Sequence, residues 1–533
     1  MTAVTAVRTW RARAVLALLI VAVSLAHPPA RDGAGGSGGS DRAAHAHAAG
    51  AAGAGPDSAD ATAVAGIAGA GDVAHVGYVV DAGSDTSPGT PITLGRGSSP
   101  YTLTVRSQNG GEGVAEVTAQ APGADWAVRG AESAVFAITV DGKPATDVVV
   151  PFEHPIASRV QLGHVSAGAH TLTIALDERA SASGAHAVVL RDLSVSVVAP
   201  RASGEPDPLA YAPILYGRSL PEFGGPFQNN HTDTPLFAWH TQAPVAGRRG
   251  HTLLEYSVMF SNEDGGTGAD PASLQARWGR QTDIEWVYRV ELDAAGSVVP
   301  GSAVYQAPSH TALPFAGRYE DGHPVLQTCT SNNMVCDVIT DPGMRFVLAV
   351  DHELAAGEAR EQMMDTVGWT YQVSAAEVRR EEKIEPVASA YTPALSDPRN
   401  YLYVVIRKTT SVPVASVDTG LAWVGATVGV RLAGAPDVLY RSDHMIPGWS
   451  LQRDGLVATA VELPAGTRLD DIATLEVLRA PASVIDPGST VTVTGVERAI
   501  MLDADALPAS GSLTWSGTAT LTASDPSSVL LSR

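Results

Sequence analysis

The stretch ARWGRQTDIEW, residues 276–286, places two carboxylates two positions apart in a run where apolar and polar residues alternate. Alternation with a period of two is typical of a β-strand, so Asp283 and Glu285 should share one face. Such a pair suits a hard divalent cation, Ca²⁺ or Mg²⁺, or contact with a substrate. The alternative is an ordinary strand whose polar face, from Asp283 to Glu291, is exposed to water.

The preceding strand-like run, HTLLEYSVMF (251–260), offers a third carboxylate, Glu255. If the two runs pair, Glu255 lies on the same face as Asp283 and Glu285. Carboxylates gathered in this way repel one another unless a cation or an arginine lies between them. The sequence therefore predicts either a cation or a compensating arginine, for which Arg280 and Arg289 are the candidates.

Tryptophans are concentrated around the same strands, which favours a binding cleft. Trp239, Trp278 and Trp286 all fall within this region, and Asn- and Asp-rich loops flank it. Aromatic rings beside polar groups are typical of ligand sites. We therefore assign Glu255, Trp239, Trp278 and Trp286 as candidate binding residues, although aromatic residues in small sandwiches also serve as core.

Composition restricts the class of protein. The chain has 533 residues, a formal net charge of −21, 53 glycines and 35 prolines. Its length allows two to four domains, and frequent turns favour many short strands. So acidic a balance argues against nucleic acid and against anionic membrane surfaces as partners. No helical period of any length follows the N-terminal region.

The N-terminus predicts export. Arginines precede AVLALLIVAVSLA (14–26), an apolar run too short to span a bilayer comfortably. No later segment is apolar enough to span one. The cysteines, Cys329 and Cys336, should form a disulfide in an exported protein. We therefore expect a secreted, extracellular protein; the alternative for the N-terminus is a retained anchor.

Turn residues and strand-like runs predict an all-β chain with two or three antiparallel β-sandwich domains of jelly-roll type. A signal peptide and a Gly/Ala-rich disordered linker should precede them. The predicted segments are the signal peptide (1–30), the linker (31–75), a first sandwich (76–200), a middle sandwich (205–376) and a C-terminal β domain (387–533).

Four resemblances bear on function. GAHTLTIALDERASASGAHAVVLRDLSVSVV resembles the last strands of carbohydrate-binding jelly-roll modules, which implies that the first sandwich binds glycans. YAPILYGRS, NNHTDTPL, LLEYSVMFSNEDGG and GRQTDIEWVYRVELD occur in the order typical of the vacuolar protein sorting-associated 62 family. GRQTDIE is also similar to the GHRHDWE heptapeptide of necrosis- and ethylene-inducing peptide-like cytolysins. That likeness implies a metal on Asp283 and Glu285, with Asp233 as the upstream ligand.

QTDIEW also resembles the EIDIEF signature of laminarinase-type glycoside hydrolases, in which the first Glu is the nucleophile. Gln281 occupies that position here and cannot form the glycosyl-enzyme intermediate, so only other hydrolase or lyase chemistry remains as an alternative. We expect a secreted binding protein, cation-dependent, that recognises a glycan, a glycolipid or a cell-wall polymer. The further alternatives are a carbohydrate-active enzyme using Asp283 and Glu285, and a purely structural surface protein.

Overall fold

The computed structural model describes residues 80–81, 91–218, 234–263, 270–340, 342–388, 394–411, 423–484 and 486–533. The predicted signal peptide and linker lie outside these residues. Within them, the all-β prediction is confirmed: strands arranged in antiparallel sandwiches dominate. No helix in the described part of the chain is both long and apolar enough to cross a membrane.

The first sandwich pairs a four-stranded sheet, in the order β3-β8-β5-β6, with one half of a ten-stranded sheet. Its strands are β1 (Val80–Asp81), β2 (Ile92–Gly95), β3 (Tyr101–Ser107), β4 (Gly111–Gln120), β5 (Ala134–Val140), β6 (Lys143–Val150), β7 (Ile156–Val165), β8 (Gly168–Leu176) and β9 (Ala187–Val198). Alternate residues of β8, including Leu172 and Ile174, enter the core between the two sheets.

The middle region continues that large sheet and adds a second one. Its strands are β10 (Ile214–Tyr216), β11 (Pro235–Pro244), β12 (Thr252–Phe260), β13 (Asp283–Leu292), β14 (Val304–Ala307), β15 (Thr311–Pro314), β16 (Tyr319–Glu320), β17 (His323–Thr328), β18 (Val335–Cys336) and β19 (Arg345–Val347). The five-stranded sheet runs in the order β11-β12-β13-β14-β15. Its apolar face packs on β10, β17 and β19 of the large sheet.

The ten-stranded sheet crosses the predicted boundary at residues 200–205 without interruption. Its order is β1-β9-β4-β7-β19-β10-β17-β16, with β2 and β18 attached to the side. The junction is the antiparallel pair β7–β19, where Val347 faces Gln161. One pair in this sheet, β10–β17, is parallel. The first and middle sandwiches therefore share a sheet.

Three α-helices occur in the described chain: α1 (Pro271–Trp278), α2 (Met363–Thr366) and α3 (Trp369–Arg380). The expectation of no helix was wrong for α3, which has 12 residues. Its apolar side packs Val373 against Trp126 and Phe152 of the first sandwich. Arg379 and Arg380 lie in its last turn, where their positive charges stabilise the helix by interacting favourably with the helix dipole.

The C-terminal region is a separate sandwich of two four-stranded sheets, β23-β20-β25-β26 and β22-β21-β24-β27. Its strands are β20 (Tyr401–Thr410), β21 (Val424–Leu432), β22 (Ala435–Arg441), β23 (Gly455–Glu462), β24 (Ile472–Pro481), β25 (Val491–Ile500), β26 (Trp515–Leu521) and β27 (Ser527–Ser532). Helix α1 packs on β23, where the Thr459 hydroxyl donates to the Ala276 carbonyl at 2.6 Å.

Candidate functional site

A β-bulge changes which residues of β13 face the core. Tyr256 pairs with Tyr288, but Ser257 pairs with Trp286, so Val287 is an extra residue on β13. The alternation predicted by the sequence reverses at this point. Val287 was expected on the wet face with Asp283 and is fully buried instead. The interpretation of 283–291 as a strand with one water-exposed face is therefore wrong for Asp283, Glu285 and Val287, whereas Arg289 and Glu291 are partly exposed.

Asp283 is 1% exposed. Its Oδ2 accepts a hydrogen bond of 2.9 Å from the Asn333 side-chain amide, and Oδ1 has no partner among the described residues. Burial raises the pKa of Asp283 well above its usual range, and repulsion from Glu263 and Glu285 raises it further. Asp283 therefore favours the neutral acid unless a cation compensates it.

Glu285 is 9% exposed. Its Oε2 accepts from the Gln306 side-chain amide at 2.7 Å. Burial raises the pKa of Glu285, and the positive charge of Arg360 opposes that shift without overcoming it. The ring Nδ1 of His310, which is exposed, lies 3.9 Å from Oε1.

Glu255 does not join the other two acids. Its cross-strand partner is Arg289, and the Arg289 Nε lies 2.5 Å from Glu255 Oε2. Asp283 instead faces Phe260, at the far end of the same strand pair. The predicted group of three carboxylates is therefore wrong, because the register places Glu255 opposite an arginine, which neutralises it.

Contacts within the protein cover the rings of all three candidate tryptophans. Trp239 is fully buried and stacks on Phe237. The Arg453 guanidinium lies 4.1 Å from the ring centre of Trp278, and that of Arg289 lies 3.8 Å from the ring centre of Trp286. Trp239 has no open face, and an arginine covers one face of each of the others.

Buried oxygens without a hydrogen-bond donor occur on Asp283 and on the residues that donate to Asp283 and Glu285. Asp283 Oδ1, Asn333 Oδ1 and Gln306 Oε1 are all buried acceptors with no donor among the described residues. Calcium and magnesium prefer such oxygens, so the residue types fit the predicted cation. In the described ranges, however, no three His, Cys, Asp or Glu side chains are grouped as metal ligands. Asp233 lies outside the described residues.

The disulfide between Cys329 and Cys336 is present, as predicted. It closes the turn that carries Asn333, whose backbone has a left-handed φ of 59°. The Asn333 amide donates both to Asp283 and to the Asn262 carbonyl, the latter at 3.1 Å. The crosslinked turn thus fixes the group that holds the Asp283 side chain.

A separate cleft of about 150 Å³ lies beside the junction of the first and middle sandwiches. Strands β7 and β19 contribute to its lining, and so do β6 and β11, which are the edge strands of their own sheets. Trp369, at the start of α3, also lines it. Neither Asp283 nor Glu285 does. The sequence analysis did not identify this cleft.

Polar groups in the cleft are partly paired with one another. The Arg159 Nε lies 3.3 Å from Asp351 Oδ2, and its Nη1 lies 3.3 Å from Glu116 Oε1. Asp147 accepts a 2.7 Å hydrogen bond from the backbone N–H of Arg345. Burial raises the pKa of Asp147 to about 6. The cleft therefore presents two carboxylates and one arginine whose charge is already compensated.

Aromatic groups line the same cleft. Phe237 meets His352 edge-on, with ring centres 5.3 Å apart. The Trp369 ring contacts Phe152, and its buried Nε1–H has no acceptor among the described residues. Rings beside carboxylates and a histidine can stack on the apolar face of a sugar and hydrogen-bond its hydroxyls.

No signal in the sequence could have identified the cleft. Its polar residues come from β6, β7 and the segment after β19, about 200 residues apart along the chain. Trp126 of the first sandwich is buried and does not line the cleft. Its indole N–H donates to Glu377 of α3 at 2.6 Å.

No family model and no curated protein matches the chain. Among solved structures, it is similar to the sugar-binding C-terminal domain of EclA, with 16% identity over 24% of this chain and 89% of that one, at a TM-score of 0.16. A carbohydrate-binding module of Cellvibrio mixtus lichenase 5A, in complex with cellotriose, matches at 13% identity, over 23% of this chain and 89% of that one, at a TM-score of 0.16.

A CBM35 module from Cellvibrio japonicus matches at 10% identity, over 21% of this chain and 96% of that one, at a TM-score of 0.15. The structural neighbours are thus carbohydrate-binding modules, and each match covers about a quarter of the chain or less. At such TM-scores, these likenesses carry no argument about what this chain binds.

Proposed function

We propose that the protein binds carbohydrate in the cleft beside the junction of the first and middle sandwiches. The observation that carries the proposal is the lining of the cleft: aromatic rings from Phe237 and Trp369 lie beside Asp147, Arg159 and Asp351. Sugars need both kinds of contact, because their C–H faces are apolar and their rims carry hydroxyls. The ligand would be a glycan, a glycolipid or a cell-wall polymer.

The proposal includes a site of action outside the cell. Two observations support it. The N-terminal sequence has the features of an export signal, and Cys329 and Cys336 are joined in a disulfide. Disulfides persist in oxidising compartments and are rare in the cytosol.

A glycan array probed with the full chain tests the proposal. We expect capture of at least one neutral glycan, and a loss of at least tenfold in affinity for Asp351→Asn. Asp437→Asn is the matched control, because it makes the same change at an exposed position of β22. Equal binding by Asp351→Asn, or no binding to any glycan, would overturn the proposal and favour a purely structural protein.

We also propose that a divalent cation stabilises the middle sandwich through Asp283 and Glu285. The support is the set of unpartnered buried oxygens around Asp283. Free calcium at 100 times its Kd should add about 2.7 kcal/mol to the stability of the native state. Thermal melts in calcium and in chelator should differ for the wild type and coincide for Asp283→Asn. Coincident melts for the wild type in calcium, magnesium and manganese would refute the cation.

A further inference from the structure

We infer that the cleft takes one neutral sugar ring, at a chain end or on a side branch, and not a run of consecutive sugars. The inference rests on the proposed function and specifies the class of ligand. Three properties of the cleft support it: its volume, the strands that line it and the charge of its side chains.

The volume of the cleft limits the size of its ligand. The cleft holds about 150 Å³. A cavity of roughly that size takes a single six-membered ring, as benzene binding in an engineered cavity shows. Sites for drug-sized ligands begin at about 300 Å³. A second sugar ring would therefore have to lie outside the cleft.

The strands around the cleft limit how a ligand can enter it. The lining strands β7 and β19 pair at the junction, and β6 and β11 line the cleft as edge strands of two further sheets. Thr146 of β6 accepts a hydrogen bond of 3.2 Å from the backbone N–H of Val347, so β6 is attached to β19. Because β6, β7 and β19 are connected in this way, a sugar chain cannot pass between these three strands. A terminal or branching ring needs access from one side only.

Charge excludes anionic sugars. Asp147 and Asp351 line the cleft, and the Arg159 charge is shared between Asp351 and Glu116. No other arginine or lysine is among the described residues that line the cleft. A uronate or a sulfated sugar would therefore bring a negative charge towards two carboxylates, and the one arginine that lines the cleft is already paired with Asp351 and Glu116. Neutral hydroxyls can instead donate to Asp147 and Asp351.

The side chains that line the cleft can form hydrogen bonds with a ligand rich in hydroxyl groups. The carboxylates of Asp147 and Asp351 accept hydrogen bonds, and the ring nitrogens of His352 can donate or accept them. Phe237 supplies an aromatic surface beside these groups.

Calorimetry with the full chain tests the inference. The probes are neutral methyl glycosides, the matching oligosaccharides of increasing length, and the corresponding methyl uronides. We expect the Kd to stay within about threefold along the length series and to rise at least tenfold for the uronides. Asp351→Asn should weaken binding of every neutral probe, and Asp437→Asn should not.

The outcomes separate the inference from the function on which it rests. A Kd that falls tenfold or more from one sugar to three, or a uronide that binds as tightly as its neutral parent, overturns the single neutral ring. If Asp351→Asn still weakens binding in that case, carbohydrate binding in the cleft stands. No binding by any probe overturns both. Because Asp351→Asn could weaken the fold, His352→Ala serves as a second cleft variant, with a thermal melt of each.

Discussion

Asp283 is buried beside two other acids, and its native environment favours the protonated form. The unfolded chain exposes the same carboxyl group to water, where its pKa is about 4. Between that value and its raised native pKa, the folded state therefore binds more protons than the unfolded state does. The contribution of Asp283 to stability must then fall as the pH rises through this window.

Asp283→Asn should remove this pH dependence, because asparagine resembles the neutral acid at every pH. In chelator, the free energy of unfolding of the wild type should fall relative to that of the variant as the pH rises above about 4. Urea unfolding at a series of pH values measures the difference. Asp437→Asn, at an exposed position, should give a curve parallel to the wild type. A parallel curve for Asp283→Asn would contradict the prediction.

Residue types and their spacing predicted part of the site around Asp283. The spacing of Asp283 and Glu285 indicated correctly that both lie on one strand, and the cysteine pair indicated the disulfide. Their burial could not be read from the sequence, because it depends on the bulge at Val287 and on Asn333 from a distant turn. The side-chain partner of Glu255 depended on strand register, which a single alternating pattern leaves open.

Among the structural elements, the crosslinked turn 329–336 does most to hold the Asp283 side chain. The bond joins cysteines seven positions apart, so it removes only a modest amount of freedom from the unfolded chain. It also keeps Asn333 in its left-handed conformation beneath β13.

Replacing both cysteines by serine should lower the free energy of unfolding by about 2 kcal/mol, the amount expected for a short closed loop. Urea unfolding of the wild type and the double variant measures this loss. Reductant should lower the stability of the wild type to that of the variant and leave the variant unchanged. Equal stability of the two proteins under oxidising conditions would contradict the prediction.

Helix α1 is connected to the C-terminal sandwich through its last turn. Gly279 ends the helix with a left-handed φ of 66°, and its N–H caps the Gln275 carbonyl. A Cβ at this position would lie 3.0 Å from the Thr459 carbonyl oxygen of β23. Only glycine satisfies both the backbone conformation and this close approach.

Gly279→Ala should therefore destabilise the protein by about 1–3 kcal/mol, the range for a strained backbone position. Thermal or urea unfolding checks the loss. Gly301→Ala is a useful control, because it has a similar φ of 75° but nothing within 4 Å of the new Cβ. If both variants lose the same free energy of unfolding, the contact of the new Cβ with β23 does not destabilise the protein.

At the scale of the whole molecule, the first and middle sandwiches are joined by a buried ion pair as well as by a sheet. His323 of β17 donates to the Ala212 carbonyl at 2.7 Å and to Glu112 of β4 at 3.1 Å. Both ring nitrogens therefore face acceptors, which favours the imidazolium. Burial lowers the pKa of His323, but the Glu112 hydrogen bond outweighs burial and the net shift is upward.

The raised pKa of His323 predicts that the junction weakens as the pH rises. The imidazolium contributes its full stabilisation below its unfolded pKa of about 6.5 and loses it as the pH passes the higher folded value. His323→Gln should flatten the dependence of stability on pH in that window. Urea unfolding between pH 6 and pH 9 measures it, with His186→Gln, at an exposed position, as the control. Identical pH profiles for wild type and His323→Gln would refute the role.

The fold class and the strand-rich regions were predictable because alternation and turn residues are local signals. The shared sheet was not, because β7 and β19 meet through one residue pair, Gln161 and Val347, far apart in sequence. Helix α3 was missed because it shows only a short apolar side, on which Val373 packs against Trp126, and ends in charged residues. The cleft depends on all of these long-range contacts.

The shared ten-stranded sheet also has a thermodynamic consequence for the cleft. Because β7 and β19 pair in one sheet and β6 is hydrogen-bonded to β19, these walls of the cleft are held together by the protein backbone without a ligand. A ligand would enter a preorganised space and would spend little of its binding energy on ordering the protein. Association should then follow a simple one-step time course, with no slow phase for domain closure.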